Sequence, residues 1–167
     1  MHLTVKGIEN LIGHSIDYCI AQASKWESDY ELGTEVLNKY YNDAKNFNAD
    51  IVIIRLGENM KTTKCQKIDC KPYVDEMIKF FSNDAEVIVT GGFWRNDLKD
   101  TIFRDVCNEN GYTFCQISDL EKVDGNLAVG QFWHEGMANH PSDKGMKAIS
   151  DRLLECAGNL NIIKSMA

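Results

Sequence analysis

The chain has 167 residues, of which 44% are hydrophobic and 26% charged, and its formal net charge is -7. The acidic balance and the lack of a basic cluster argue against nucleic acid as a partner. No apolar run approaches the roughly 18 residues of a membrane span. We therefore predict a single globular α/β domain over residues 1–167 that binds neither nucleic acid nor membrane.

The first third of the chain predicts a helix, a strand and a second helix. Apolar spacing predicts a helix over residues 1–13, with Gly13 at its end. A candidate strand over residues 15–21 leads to Lys25-Trp-Glu27, which we expect to be an exposed loop. Residues 31–47 predict a second helix. The apolar face of that helix comprises Leu32, Val36, Leu37, Tyr40, Tyr41, Ala44 and Phe47.

The most informative stretch is the unbroken β-branched run Ile51–Ile54, which is followed by Gly57-Glu58-Asn59. A run this short and apolar predicts a strand buried on both faces, as in the centre of a parallel sheet. In open α/β sheets, ligands bind beyond the carboxyl ends of the strands. There, a glycine permits a sharp turn and the Asn59 amide can donate a hydrogen bond into a crevice. A plain turn at the end of a strand uses the same residue types.

The rest of the chain continues the alternation of helices and strands. In order, it predicts a lysine-rich loop over 61–71, a helix from Pro72 to near Asn83 and a strand over 86–90. These are followed by a helix over 97–110 that stops at Gly111, a strand over 112–117 and a last helix from Ser142 to about Cys156. This alternation predicts a mostly parallel sheet with helices on both faces. The glycines at 57, 91 and 92 match no nucleotide-binding motif, and we expect no cofactor.

The six cysteines are too sparse for a disulfide scaffold. Cys19 and Cys115 lie in apolar, strand-like runs, so we expect both to be buried, reduced thiols. Cys65 and Cys70 lie in a polar stretch with four residues between them. That spacing fits no standard zinc knuckle, and we expect no metal.

The segment Gly136–Met146 holds a candidate general base. His140 stands immediately before the last helix, between Asn139 and Pro141, with Ser142 as the helix cap. A histidine in this position is held by the backbone yet exposed, as a general base must be. An isolated loop histidine can equally be structural.

Together these motifs resemble one enzyme family. Gly57-x-Asn59 at a strand end and His140-Pro-Ser-x-x-Gly145 before the last helix resemble the third and fifth conserved blocks of the SGNH (GDSL-type) hydrolases. Ile54–Met60, Gly92-Phe-Trp94 and His140–Met146 resemble one bacterial branch of that family. The resemblance covers about residues 16–155. It implies a flavodoxin-like three-layer α/β/α sandwich and serine-based hydrolysis of small or carbohydrate-linked esters.

The resemblance also implies roles for individual residues. His140 would be the general base, and Asn59 with the backbone of Gly57 would form the oxyanion hole. Trp94 would be a pocket wall, and Glu58 would contact the substrate. The family's aspartate, three residues before the histidine, is replaced by Met137. Glu135 or a backbone carbonyl would then orient the histidine ring.

Two blocks of the family pattern do not occur in this sequence. One is the strand ending in Gly-Asp/Asn-Ser, which supplies the nucleophile, and the other is the glycine-containing second block. We therefore expect a chain that lacks the first strand and is inactive or weakly active. Ser15, in Gly13-His-Ser15, is a substitute nucleophile, but the helical spacing of residues 7–12 favours an ordinary strand start there.

Three functions remain open on the sequence alone. The first is an ester hydrolase, and the second is a non-catalytic small-molecule or carbohydrate binding module on the same fold. The third is a generic flavodoxin-like domain, but this sequence contains no phosphate-binding loop to support it. A missing first strand would leave a sheet edge exposed, so we also expect a homodimer through that edge.

Overall fold

The structure, a computed structural model, describes residues 2–166. Its sheet has three parallel strands in the order β1 (Ile51–Ile54), β2 (Glu86–Thr90) and β3 (Thr113–Cys115). The three strands predicted in the second and third parts of the chain are therefore confirmed, with β3 shorter than expected. The central strand is β2, whereas β1 lies at an edge.

Nine α-helices surround the sheet within residues 2–166. They are α1 (His2–Ile12), α2 (Ser24–Asp29), α3 (Thr34–Asn46), α4 (Thr62–Cys65), α5 (Lys71–Ser82), α6 (Asp97–Asn110), α7 (Glu135–Ala138), α8 (Asp143–Ala157) and α9 (Asn161–Met166). Two 3-10 turns cover Tyr30–Leu32 and Leu120–Lys122. None of these helices has the length and the apolar character needed to cross a bilayer.

The helices form two layers, one on each face of the sheet. Alternate strand residues point to opposite faces, so Val52 and Ile54 join one core cluster while Ile51 and Ile53 join the other. The first cluster is covered by α2, α3, α5 and α6, and the second by α1, α8 and α9. The flavodoxin-like α/β/α fold predicted from the sequence is confirmed.

Local signals at the ends of α6 and α8 gave correct helix limits. The Asn96 side chain accepts a hydrogen bond from the Lys99 backbone N–H, and Gly111 ends α6 in the left-handed conformation with φ of 73°. Ser142 Oγ accepts a hydrogen bond from the Gly145 N–H at 3.1 Å and caps α8. These caps satisfy backbone groups that the helix itself leaves unpaired.

The strand predicted over residues 15–21 is wrong, because that segment has no regular secondary structure. Tyr18 and Ile20 are 48% and 52% exposed, and Cys19 is exposed as well, which corrects the expectation of a buried thiol. A strand needs a hydrogen-bonded neighbour, and β-propensity alone does not supply one. No strand of the described chain pairs with this segment.

The loop predicted at residues 25–27 is also wrong. These residues belong to α2, where Trp26 is fully buried and Glu27 is only 4% exposed. The helix predicted over 31–47 is interrupted at Gly33, whose φ is 55°. Leu32, Tyr40 and Phe47 are exposed, so only part of the predicted apolar face packs into the core.

Three further differences concern burial and short helices. Ile51–Ile53 are only half-buried, because β1 has a neighbour on one side alone. The lysine-rich stretch over 61–71 contains α4, and its cysteines are buried, not exposed in a polar loop. The tail after α8 forms α9, because the Glu86 carboxylate accepts hydrogen bonds from the first backbone N–H groups of that helix.

Candidate functional site

The loop Gly57–Asn59 begins the site at the carboxyl end of β1. Gly57 has a φ of 104°, and a Cβ on it would lie 3.0 Å from the Phe103 ring. Both the left-handed conformation and the close approach therefore require glycine here.

The N–H groups of this loop converge on the carboxylate of Glu27. Its Oε1 accepts from the backbone N–H of Gly57 at 2.7 Å and from that of Asn59 at 3.1 Å, and its Oε2 accepts from Asn59 Nδ2 at 2.7 Å. A buried carboxylate needs such donors to offset the loss of water. The Asn59 amide, expected to point into an open crevice, therefore donates to Glu27.

The carbonyl groups of the same loop face a cation. Lys99 Nζ, on α6, donates to the carbonyl oxygens of Gly57 at 2.6 Å, of Met60 at 3.2 Å and of Glu58 at 3.4 Å. The loop is thus held between an anion at its N–H groups and a cation at its carbonyls. The sequence did not identify Glu27 or Lys99, because only the tertiary fold brings them to residues 57–60.

Glu58 joins the loop after β1 to the loop after β2. Its Oε1 accepts from the Phe93 backbone N–H at 3.0 Å and from Arg55 Nη2 at 3.0 Å. The side chain expected to contact substrate is therefore half-buried and engaged in fixing Gly92–Trp94 beside Gly57–Asn59.

His140 lies against Trp94 at the same edge. The two rings pack edge to face with their centroids 5.2 Å apart, and Trp94 Nε1 donates to the carbonyl of Asn139 at 3.1 Å. His140 Nδ1 lies 2.7 Å from the carbonyl oxygen of Gly136. Because a carbonyl can only accept, Nδ1 carries a proton, and in the neutral ring Nε2 then keeps its lone pair.

The Gly136 carbonyl thus takes the orienting position that the sequence left open between Glu135 and a backbone group. Met137, which stands where the resemblance predicts an aspartate, is 51% exposed. A carbonyl fixes the ring and its tautomer, but it carries no charge to stabilise an imidazolium. The His140 ring is therefore oriented, but by a weaker partner than a carboxylate.

Ser15 lies at the opposite edge of the sheet. Helix α1 runs alongside α8 in the same direction, since Thr4 Oγ1 donates to Ser150 Oγ at 3.2 Å and Gly7, three residues on, packs against Leu154. Helix α8 begins beside the site and ends near Glu86, the first residue of β2. Ser15, which follows α1, therefore lies at the amino ends of the strands, away from His140.

A small pocket of about 100 Å³ opens between the two loops. Its lining includes Gly57, Gly92, Trp94, Asn96 and Lys99. A water molecule occupies roughly 30 Å³ of liquid, so the pocket admits a group about the size of an acetyl. Trp94 forms part of this lining and also packs against His140, so that histidine lies next to one wall of the pocket.

A larger cleft of about 480 Å³ lies beside the small pocket, past the end of β3. Arg95, Arg104 and Lys122 line it together with Asp97, Asp100 and Asp119, so its cations and anions are equal in number. Gln116 and Ser118 add neutral hydrogen-bonding groups. The cleft therefore offers both donors and acceptors of hydrogen bonds, with no excess of either charge.

Cysteines pair with neighbouring groups at two other places in the fold. Cys70 Sγ donates to the Tyr30 hydroxyl at 3.2 Å, and burial raises the pKa of Cys70 to about 11. Cys115 Sγ donates to the Arg152 carbonyl at 3.6 Å. The Cys115 thiol beside Cys156, with the Arg152 guanidinium nearby, lowers the pKa of Cys156 to about 7. Within residues 2–166, no group of three or more His, Cys, Asp or Glu side chains is arranged to hold a metal ion.

Comparison with models of known protein families gave no match, and comparison with curated proteins gave no match either. The functional assignment therefore depends on the geometry of this edge and on the sequence motifs that it contains.

Proposed function

We propose that the edge formed by Gly57–Asn59, Gly92–Trp94 and His140 is the site of an SGNH-type hydrolase that cleaves small or carbohydrate-linked esters. The observation that carries the proposal is the orientation of His140. Its Nδ1 donates to the Gly136 carbonyl, which leaves Nε2 of the neutral ring free to act as a base, and its ring packs on Trp94, which lines the acetyl-sized pocket.

Convergent N–H groups on the Gly57–Asn59 loop support the proposal. They already bind an anion, since the Glu27 carboxylate accepts from both backbone groups and from the Asn59 amide. Donors arranged in this way stabilise the negative oxygen of a tetrahedral intermediate. For Gly57 and Asn59 to serve as an oxyanion hole, at least one donor must turn from Glu27 to the substrate.

The attacking group follows from the surroundings of His140. Within residues 2–166, no serine hydroxyl is hydrogen-bonded to its ring, and Ser15 lies at the far edge. Water is then the nucleophile in this chain: His140 Nε2 accepts its proton, the hydroxide attacks the ester carbonyl, and the alcohol leaves with that proton. Without a serine and a carboxylate partner, we expect weak turnover.

The test is hydrolysis of p-nitrophenyl acetate by the purified chain. His140→Gln should remove the catalysed rate, because general base catalysis contributes about 10²–10⁴-fold. His14→Gln is a matched control, since His14 is also exposed but lies beside Ser15 at the other edge. Equal rates for the parent chain and His140→Gln would refute the role of His140.

Ser15→Ala separates the remaining possibilities. The proposal predicts no change in rate with this variant. A rate abolished by Ser15→Ala would make Ser15 the nucleophile. Fast turnover that survives both Ser15→Ala and His140→Gln would place the active site elsewhere.

A second candidate function is a non-catalytic carbohydrate binding module. The observation that favours it is the 480 Å³ cleft with balanced charges, which falls within the roughly 300–1,000 Å³ of ligand pockets. The test is an NMR titration with an acetylated monosaccharide. Shifts at Gln116 and Ser118 without acetate release would favour this function over hydrolysis.

A further inference from the structure

Two cysteines face the contact between β3 and α8. Cys115 is the last residue of β3 and belongs to the core cluster that α8 covers. Cys156 belongs to α8 and packs against the same cluster, and both residues are free thiols. Since β3 and α8 pack directly on one another, the two thiols share one interface.

A hydrogen bond fixes the place of the Cys115 thiol on α8. Its Sγ donates to the carbonyl oxygen of Arg152 at 3.6 Å. In an α-helix each side chain tilts toward the amino end, so the residue four positions further on covers the same turn. That residue is Cys156. Its Sγ is therefore directed back toward the turn that the Cys115 Sγ contacts, which places the two sulfur atoms side by side.

The backbone around both thiols is held in position. The Arg152 Nη1 donates to the carbonyl oxygen of Gln116 at 2.7 Å, and its Nη2 pairs with the Asp119 carboxylate at 3.0 Å. These bonds join the same turn of α8 to the residues that directly follow Cys115. We therefore expect a bond between the two sulfur atoms to require rotation of side chains and no movement of the helix.

The acidities of the two thiols agree with this placement. The neighbouring Cys115 thiol and the Arg152 guanidinium lower the pKa of Cys156 to about 7. The Cys156 thiol raises the pKa of Cys115, and burial raises it further. At pH 7 about half of the Cys156 side chains are then thiolates, while Cys115 keeps its proton.

The two thiols also differ in their access to solvent. Cys156 is partly exposed, whereas Cys115 is only 1% exposed. A partly exposed thiolate reacts with a dissolved oxidant, and a buried thiol beside it then reacts with its oxidised neighbour. Cys65, Cys70 and Cys107 are all buried, and burial raises the pKa of Cys107 to about 12. Cys156 is therefore better suited than these three to begin such a reaction.

We propose that Cys115 and Cys156 are a redox site, at which hydrogen peroxide joins them in a reversible disulfide between β3 and α8. The Cys156 thiolate attacks one peroxide oxygen and the O–O bond breaks. The sulfur becomes a sulfenic acid, and the departing hydroxide takes up a proton to form water. The Cys115 sulfur then attacks the sulfenic sulfur, the S–O bond breaks, and the hydroxide leaves with the Cys115 proton as a second water.

The sum of these steps converts two thiols and one hydrogen peroxide into one disulfide and two waters. The two sulfur atoms are oxidised and the two peroxide oxygens are reduced. A small dithiol such as dithiothreitol reverses the change by thiol–disulfide exchange and becomes a cyclic disulfide itself.

The test is peroxide treatment of the whole folded chain. Remaining thiols are blocked with N-ethylmaleimide, and a tryptic digest is analysed by mass spectrometry without reductant. Trypsin releases Cys115 in the peptide 105–122 and Cys156 in the peptide 153–164. The proposal predicts that these peptides are cross-linked, with a mass two hydrogen atoms below their sum, and that dithiothreitol separates them. The far-UV circular dichroism of the oxidised chain should equal that of the reduced chain.

Cys107→Ala is the matched control, because the peptide 105–122 contains Cys107 as well. Cys107 is as buried as Cys115 but belongs to the core cluster on the opposite face of the sheet. The cross-link should persist in Cys107→Ala and disappear in Cys115→Ala.

Several results would overturn the proposal. In one, Cys156 stays a thiol after peroxide treatment, pairs with another cysteine, or becomes a sulfinic acid without a cross-link. In another, the cross-link survives in Cys115→Ala. A loss of the helical circular dichroism signal on oxidation would also overturn it, because the two thiols would then meet only after unfolding.

Discussion

Glu27→Ala tests how the Gly57–Asn59 loop is held. The substitution removes the acceptor of three N–H groups, at 2.7, 3.1 and 2.7 Å, from a position that is only 4% exposed. Gly57 is itself buried, so its N–H would be left without a partner. Hydrogen bonds to charged groups contribute about 1.5–3 kcal/mol each, and unsatisfied buried donors cost a further 1–3 kcal/mol. Since such terms overlap, we expect a loss of about 3–5 kcal/mol in the free energy of unfolding.

Urea denaturation followed by circular dichroism measures this loss. Glu27→Gln is the matched control, because its Oε1 still accepts from the Gly57 and Asn59 backbones and the Asn59 amide can flip toward its Nε2. This control should lose only about 1–2 kcal/mol. A Glu27→Ala variant within about 1 kcal/mol of the parent chain would refute the reasoning.

Three other substitutions probe separate features. Gly57→Ala should lower the free energy of unfolding by about 1–3 kcal/mol, because the left-handed φ and the Phe103 ring both disfavour a Cβ; thermal denaturation measures it. Ser142→Ala should cost about 0.5–2 kcal/mol through loss of the α8 cap, again by denaturation. Cys156 should be alkylated by iodoacetamide with a midpoint near pH 7, and Cys115→Ala should move that midpoint upward.

Each of these expectations has a contradicting result. An unchanged melting temperature for Gly57→Ala would mean that the loop relaxes without cost. A stable Ser142→Ala variant would mean that the hydroxyl's contact with Gly145 contributes nothing. An alkylation midpoint that stays near pH 7 in Cys115→Ala would mean that Arg152, and not the neighbouring thiol, lowers the pKa of Cys156.

The elements with local signals were predictable from the sequence. Helix α6 has a side-chain cap at Asn96 and a left-handed glycine at Gly111, and both act within one turn of the helix end. The run Glu86–Thr90 forms a strand because its apolar residues suit burial on both faces. Alternation of such elements was enough to predict the α/β layers.

Features that depend on distant contacts were not predictable. Residues 15–21 have a strand-like sequence, yet pairing depends on a neighbour that the rest of the chain does not place beside them. The local sequence around Glu27 predicts a surface residue. Only the tertiary fold brings Glu27 into contact with Gly57, which lies 30 positions further along the chain. His140 was placed correctly before α8, but its partner is a backbone carbonyl, which has no sequence signature.

The tautomer of His140 tests the proposed site most directly, because a base needs an unprotonated Nε2 that faces the pocket. Long-range ¹H–¹⁵N NMR correlation at about pH 9, where imidazole side chains are neutral, distinguishes the two ring nitrogens. The proposal predicts a proton on Nδ1, donated to the Gly136 carbonyl at 2.7 Å, and a free lone pair on Nε2. A proton on Nε2, or equal populations of the two tautomers as in a freely rotating surface histidine, would contradict it.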